Sequence, residues 1–302
     1  MPSFKARLLN LFLRSTIKRQ WREGLTIEEV RAHAAKTDAR IGKGAPPIAT
    51  EQVTVGGVPA IWFGEPALAA KGTLLYLHGG AFSMHLPQIY ARFAGELSAR
   101  TGMRVLLPDY RLAPECQFPA ATDDCFAAYR WVVEQGLASG PFALAGDSAG
   151  GNLTAVTLML ARDAGLPLPR CAVLLSPVLD ATFSGASIKY NERLDPMFSW
   201  AGFQSLTPIY CPDQQLTQTL ISPLFGDWRG LPPLLFQAGS TEMLVDDSIR
   251  GQDRARLAGV HAELRVWPKL AHVFQVFPGL PESREAIDDI VRFIETHCFP
   301  RA

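Results

Sequence analysis

The sequence predicts an α/β protein, with a mostly parallel central sheet flanked on both faces by helices, and three observations carry that prediction. Apolar runs of strand length recur at 72–77, 103–108, 142–145, 171–176, 234–237 and 263–267. Helical patterns lie between them near 88–100, 122–135, 150–164 and 246–258, with a last one near 282–297. Strand and helix in alternation is the pattern of parallel βαβ units. The strands are also nearly continuous in apolar residues, as strands covered on both faces are. Finally, 48% hydrophobic and 19% charged residues in 302 describe a globular chain able to bury a sizeable core.

Charge and cysteine usage narrow the function classes. Lysine plus arginine number 29 against 29 aspartate plus glutamate. A net charge of zero provides no global basic field for nucleic acid. Cys116, Cys125, Cys171, Cys211 and Cys298 form no Cys-x-x-Cys pair and no metal spacing, so reduced, mostly buried thiols and no metal site are expected. The longest apolar run near the N-terminus is Leu11-Phe12-Leu13, too short for a signal-peptide core. No eighteen apolar residues run together. The expectation is a cytoplasmic protein with no membrane span.

Two stretches break the alternation. Residues 1–45 hold ten basic and four acidic residues on a helical apolar pattern. Thr26-Ile27-Glu28-Glu29 matches a capping box and predicts a second short helix near 26–36. A basic amphipathic segment suits a membrane surface or a partner. A lid packed on the main domain is the favoured expectation, because the apolar stripe is short and no polybasic run occurs. Residues 182–230 contain no clear strand and read as an inserted helical segment.

The strongest chemical signal is Gly146-Asp147-Ser148-Ala149-Gly150-Gly151, which follows one apolar strand and opens a helix. A strand-to-helix turn this tight holds the serine in strained dihedrals, and side chains two positions either side would collide. The turn lifts Ser148 above the carboxyl edge of the sheet, with a helix N-terminus aimed at developing negative charge.

A hydroxyl needs an adjacent base, and topology sorts the histidines because sites in parallel sheets lie beyond the strands' carboxyl ends. His261 precedes the last strand, His297 lies in the terminal helix, and His33 belongs to the N-terminal segment. His85 precedes the serine in the chain. His272, in the loop after the last strand, is the candidate base. The carboxylate that orients it is expected after strand 234–237, where Glu242 comes first and Asp246 is the reserve. Asp180 lies one strand too early and is read as structural. The order Ser…Glu…His is that of α/β hydrolases.

Oxyanion donors are expected where strand 72–77 runs into His78-Gly79-Gly80-Ala81-Phe82, since small residues let backbone amides approach a substrate oxygen. Gly79, Gly80 and Ala81, with the amide of Ala149, are the candidates; His78 is expected to hold the loop locally.

These segments, with Asp109-Tyr110-Arg111-Leu112-Ala113-Pro114-Glu115, resemble the bacterial hormone-sensitive-lipase-like carboxylesterases over roughly residues 70–280. The resemblance implies an α/β-hydrolase fold with a helical cap: residues 1–45 and 182–225 as cap, 46–181 and 226–302 as core. It implies a Ser148-Glu242-His272 triad, no cofactor, a small ester as substrate, and a homodimer at family level. Arg111 and Glu115 are expected to brace the floor of the site as a charged pair. The chain departs from the family pattern twice: Ala81 stands where a third glycine is usual, and Glu242-Met243-Leu244 where Asp-Pro-Leu is usual.

The reading is therefore a serine carboxylesterase for short- to medium-chain esters. Phe82, Met84, Met197, Phe198, Trp200, Leu244 and Phe274 are candidates to line its pocket. An amide hydrolase with the same triad and a non-catalytic ligand-binding module are the alternatives; an intact serine and histidine argue against the module.

Overall fold

A computed structural model describes residues 2–21, 24–42, 48–212 and 215–299. Eight strands form one sheet: β1 Thr50–Val55, β2 Val58–Phe63, β3 Thr73–Leu77, β4 Arg104–Pro108, β5 Phe142–Asp147, β6 Cys171–Leu175, β7 Leu234–Gly239 and β8 Ala262–Trp267. Their order is β1-β2-β4-β3-β5-β6-β7-β8. From β4 to β8 all neighbours are parallel, as the alternating pattern predicts. The β1–β2 hairpin adds an antiparallel edge through β2 and β4. It is not among the predicted strands. β1 is largely exposed and polar, so it makes no apolar run, yet Gly56-Gly57 with positive φ at both positions is a two-residue hairpin signal.

The core strands alternate their side chains between two cores. Leu75, Leu77, Leu144, Leu174 and Phe236 face α4 (Ala120–Glu134), α5 (Ala149–Asp163) and α8 (Val245–Leu257). Leu74, Tyr76, Val173 and Leu235 face α3 (Pro87–Thr101) and α9 (Pro281–Cys298). That is the period-two geometry of a strand covered on both sides.

Four further helices lie over the carboxyl edge: α1 Phe4–Thr16, α2 Ile27–Ile41, α6 Ser187–Tyr190 and α7 Trp200–Tyr210. The capping box at Thr26 and Glu29 forms, and α2 runs five residues past its predicted end. Ala6 and Leu13 of α1 pack on Leu270, Phe274 and Phe277. Val30 of α2 meets Leu206 of α7 above Ala81 and Met84. The expected boundary between residues 45 and 46 lies outside the described residues. Among the described residues no helix is long and apolar enough to cross a membrane.

Candidate active site

Ser148 joins β5 to α5 with φ 53° and ψ −118°, a strained conformation that persists because its surroundings over-determine it. A Cβ on Gly146 would lie 2.3 Å from the Gly150 carbonyl oxygen, and one on Gly150 would lie 1.9 Å from that of Leu77. Both positions therefore require glycine. The Ser148 amide donates to the Leu175 carbonyl (2.8 Å), and the Val178 amide donates to the Ser148 carbonyl (3.1 Å), so the turn is tied to β6 and the loop that follows it.

On one side of Ser148 stands His272. Its Nδ1 lies 2.9 Å from Glu242 Oε2. An ionised carboxylate can only accept, so Nδ1 carries the proton and Nε2 keeps its lone pair. Nε2 is buried without a hydrogen-bond partner among the described residues, and His272 lines the same cavity as Ser148. Glu242 Oε1 accepts from the Ser176 hydroxyl at 2.8 Å and from the Gly239 amide. Burial pushes the Glu242 carboxyl above its ordinary value, against the opposing pull of His272 and these donors. Ser176 also accepts from the Val273 amide (3.1 Å), joining the acid and histidine loops. Asp246, the reserve acid, instead accepts from the Ser187 amide and the Tyr190 hydroxyl. Asp180 accepts from Thr182, Ser184 and Arg250 and is structural, as expected.

The helical layer reaches this side through Asp195. Its Oδ1 accepts from the Met197 and Phe198 amides, and its Oδ2 from the Met243 amide beside Glu242. The Phe198 ring meets the His272 ring edge-on at 4.9 Å.

On the other side lies the loop after β3. The Gly79 amide, expected among the oxyanion donors, is engaged by the Tyr90 hydroxyl (2.8 Å) and Asp147 Oδ1 (3.0 Å). It is a brace of the loop, and a Cβ there would meet Asp147 Oδ2 at 2.3 Å. The amides of Gly80, Ala81 and Ala149 have no acceptor among the described residues and remain free for a ligand oxygen. Gly80 and Ala81 take positive φ, 124° and 51°, where the loop leaves β3. His78 donates from Nδ1 to the Gly79 carbonyl (2.7 Å) and stacks on Tyr110 at 4.2 Å. Burial lowers its pKa to about 4, so the ring is neutral.

Two cavities meet at Ser148. The larger, about 150 Å³, runs beneath α2 past Met84, Met197, Phe198 and His272. The smaller, about 60 Å³, is bounded by Phe82, Phe183, Phe198, Phe203, Tyr210 and Leu244. Trp200 and Phe274, expected pocket residues, line neither. Trp200 is partly exposed and packs on Phe183, while Phe274 is buried against Trp267 under α1. The expected pairing of Arg111 with Glu115 is also absent. Arg111 forks onto Asp124, and Glu115 takes both terminal nitrogens of Arg31 on α2.

Ser176, Asp147, Tyr90, Asp195 and Arg31 are contributors that sequence reasoning did not assign. Ser176 and Asp147 carry a usable signal, for each stands at the carboxyl end of a parallel strand. The others are reached through tertiary contacts. Among the described residues no cluster of three or more His, Cys, Asp or Glu side chains is placed to hold a metal ion.

Comparison with known proteins agrees with this fold. A family model described as alpha/beta hydrolase fold matches residues 74–276. The acetyl-hydrolase of Streptomyces hygroscopicus is 40% identical over 254 residues, 84% of each chain. An esterase of Acinetobacter venetianus is 35% identical over 228 residues, 74% of this chain and 75% of that one. The crystal structure of an esterase from the bacterial hormone-sensitive lipase family superposes with a TM-score of 0.91 at 36% identity, covering 99% of both chains.

Proposed function

The chain belongs to the bacterial hormone-sensitive-lipase-like esterases of the α/β-hydrolase fold, and from that premise we propose that it is a serine carboxylesterase working through an acyl-enzyme, with residues 1–45 and 182–225 as its cap. The observation that carries this reading is the His272 ring. Glu242 holds its Nδ1 proton, and its bare Nε2 shares a cavity with Ser148.

In this reading Nε2 takes the Ser148 proton as Oγ attacks the ester carbonyl. The tetrahedral oxygen receives the amides of Gly80, Ala81 and Ala149 at the N-terminus of α5. Glu242 remains a carboxylate and stabilises the imidazolium. Collapse expels the alkoxide, which takes the proton from Nε2, and water then repeats the sequence on the acyl-enzyme.

The position of His272 also supports a reading of the two cavities. A leaving alcohol must reach Nε2, and His272 lines the larger cavity but not the smaller. The alcohol therefore belongs under α2, and the acyl group occupies the smaller cavity beside Phe203 and Tyr210. A space of about 60 Å³ suits short acyl chains.

A p-nitrophenyl ester series from acetate to palmitate tests the proposal. Turnover should be highest on the short esters and fall steeply along the series. Ser148→Ala should lower kcat by at least about 10⁴-fold. No turnover of any ester by the intact protein, or turnover retained in Ser148→Ala, overturns it.

A further inference from the structure

α1 is apolar on two opposite faces, and the lid role uses only one of them. Ala6 and Leu13 are buried against the loop carrying Leu270 and Phe274. Phe4, Leu8 and Leu11, spaced at i, i+4 and i+7, form a second stripe that is 72%, 51% and 65% exposed. Ten large apolar residues are exposed among the described residues, and six of them lie at 4–11 and 190–200: these three with Tyr190, Leu194 and Trp200. The two stretches are joined. Arg14 donates to the Leu194 carbonyl (2.7 Å), Lys18 to the Asp195 carbonyl (2.8 Å), and the Trp21 indole to the Met197 carbonyl (2.8 Å).

Basic charge predominates around the stripe, the adjoining acids being Glu282, whose carboxylate accepts from the Ser3 amide and hydroxyl, and Glu192, which accepts from the Trp200 amide. Lys5, Arg7 and Arg14 are exposed on α1, Arg19 follows it, and the helix contains no acidic residue. A second copy of this chain would bring like charges together across a two-fold contact. An anionic lipid headgroup layer complements both features, since apolar side chains can enter the acyl boundary while the basic ones meet phosphates.

We propose that the outward face of α1, with Leu194 beside its C-terminal end, docks on the surface of an anionic lipid bilayer. Ile17, Gln20 and Trp21, immediately beyond α1, line the larger cavity at Ser148. Docking through this face holds the mouth of that cavity close to esters dissolved in the membrane.

The test uses the full-length protein and sedimentation with two vesicle preparations, phosphatidylcholine alone and phosphatidylcholine containing phosphatidylglycerol. Binding to the anionic vesicles is expected, at least about tenfold tighter than to the neutral ones. It should be lost near 0.5 M salt, where the Debye length is only a few ångströms. Leu8→Ser/Leu11→Ser and Lys5→Gln/Arg7→Gln should each weaken it by about tenfold or more, with p-nitrophenyl acetate turnover in free solution unchanged as the measure of intact folding. No binding to anionic vesicles overturns the proposal, as does binding that both double variants retain. A dimer of the unmodified chain that Leu8→Ser/Leu11→Ser converts to monomer also overturns it, because a second copy then covers the face.

Discussion

On one side of Ser148 stands a carboxylate whose hydrogen bonds reach an imidazole; on the other stands a carboxylate whose hydrogen bonds reach two phenols and a backbone amide. Glu242 and Asp147 are both buried, and burial raises both carboxyls as its first effect. Their partners differ in what they do with protons. His272 has a bare Nε2 that can accept one. The Tyr76 and Tyr90 hydroxyls, at 2.7 and 2.8 Å from Asp147, are pushed well above the usual tyrosine range and keep theirs. On the proposed mechanism Glu242 answers a charge that appears during reaction, whereas Asp147 fixes the shape of the loop proposed to receive the oxyanion. Burial and residue type do not distinguish the two roles; the partner does.

The largest expected effect tests the proton-handling side. Glu242→Ala should lower kcat by about 10³–10⁴-fold, because the imidazole loses both its tautomer control and its counter-charge. Asp246→Ala, four positions on, should stay within about threefold, since its bonds to Ser187 and Tyr190 lie away from His272. Steady-state kinetics on p-nitrophenyl acetate separates the two. Equal losses in both variants would break the contrast.

The shape-holding side should give a smaller loss confined to kcat. Asp147→Ala frees the Gly79 amide and both phenols, and kcat should fall about 10²-fold with KM little changed, comparable to removing one oxyanion donor. Tyr90→Phe removes one hydroxyl of the brace and should cost about tenfold or less. If Asp147→Ala leaves kcat intact, the loop holds its shape by other means.

The same contrast explains which parts of the site were legible. The nucleophile elbow is a local object: Gly146, Ser148 and Gly150 are required by contacts within a few residues and with the adjoining strand β3. His272 was legible from topology, because strand order places its loop on the correct edge. Glu242 ranked ahead of Asp246 only by its place directly after β7, since the bend at 240–244 decides which side chain turns toward the imidazole. Gly79 was assigned to the oxyanion hole because its amide partners lie 11 and 68 positions away in sequence, and no local motif shows them. Trp200 and Phe274 are aromatic, but that says nothing about which side of a helix or loop faces the cavity. β1 failed a test based on apolar runs because an edge strand faces water, whereas β2, Val58–Phe63, is an interior and mostly buried apolar run that the alternating pattern passed over.

Between the sheet domain and the helices over its carboxyl edge the contrast becomes one of tether strength. Arg31 donates to both carboxylate oxygens of Glu115 and also to the Ser83 and Ala113 carbonyls, at 2.8 Å each. Glu115 is held down to about 2 by Arg31, yet its side chain is 62% exposed, so water screens the pair. Glu115→Ala should therefore cost at most about 1 kcal/mol. Arg31→Ala also removes two bonds to backbone carbonyls, one in the oxyanion loop, and should cost about 1–2 kcal/mol. Urea unfolding measures both, and a larger loss in Glu115→Ala would show that the ion pair, and not the backbone bonds, fastens α2.

An effect of similar size at neutral pH, but one that depends on pH, lies in His78, beneath the shape-holding loop. Burial depresses its folded pKa to about 4 from 6.5, so the unfolded chain takes up a proton first as the solution is acidified. Its stabilising contribution is complete above pH 6.5 and is lost as pH falls toward 4, each unit of separation being worth about 1.4 kcal/mol. Glu242 and Asp147, whose folded values are raised, act in the opposite sense: their contributions are complete in acid and lost as pH rises through those values. His78→Phe keeps a ring on Tyr110 and removes the bond to the Gly79 carbonyl. At pH 7 it should lose about 1 kcal/mol, while its unfolding free energy should fall less steeply than that of the unmodified chain between pH 6.5 and 4. Parallel slopes in urea titrations across that window would place the acid-sensitive group elsewhere and leave the oxyanion side as indifferent to pH as its phenols.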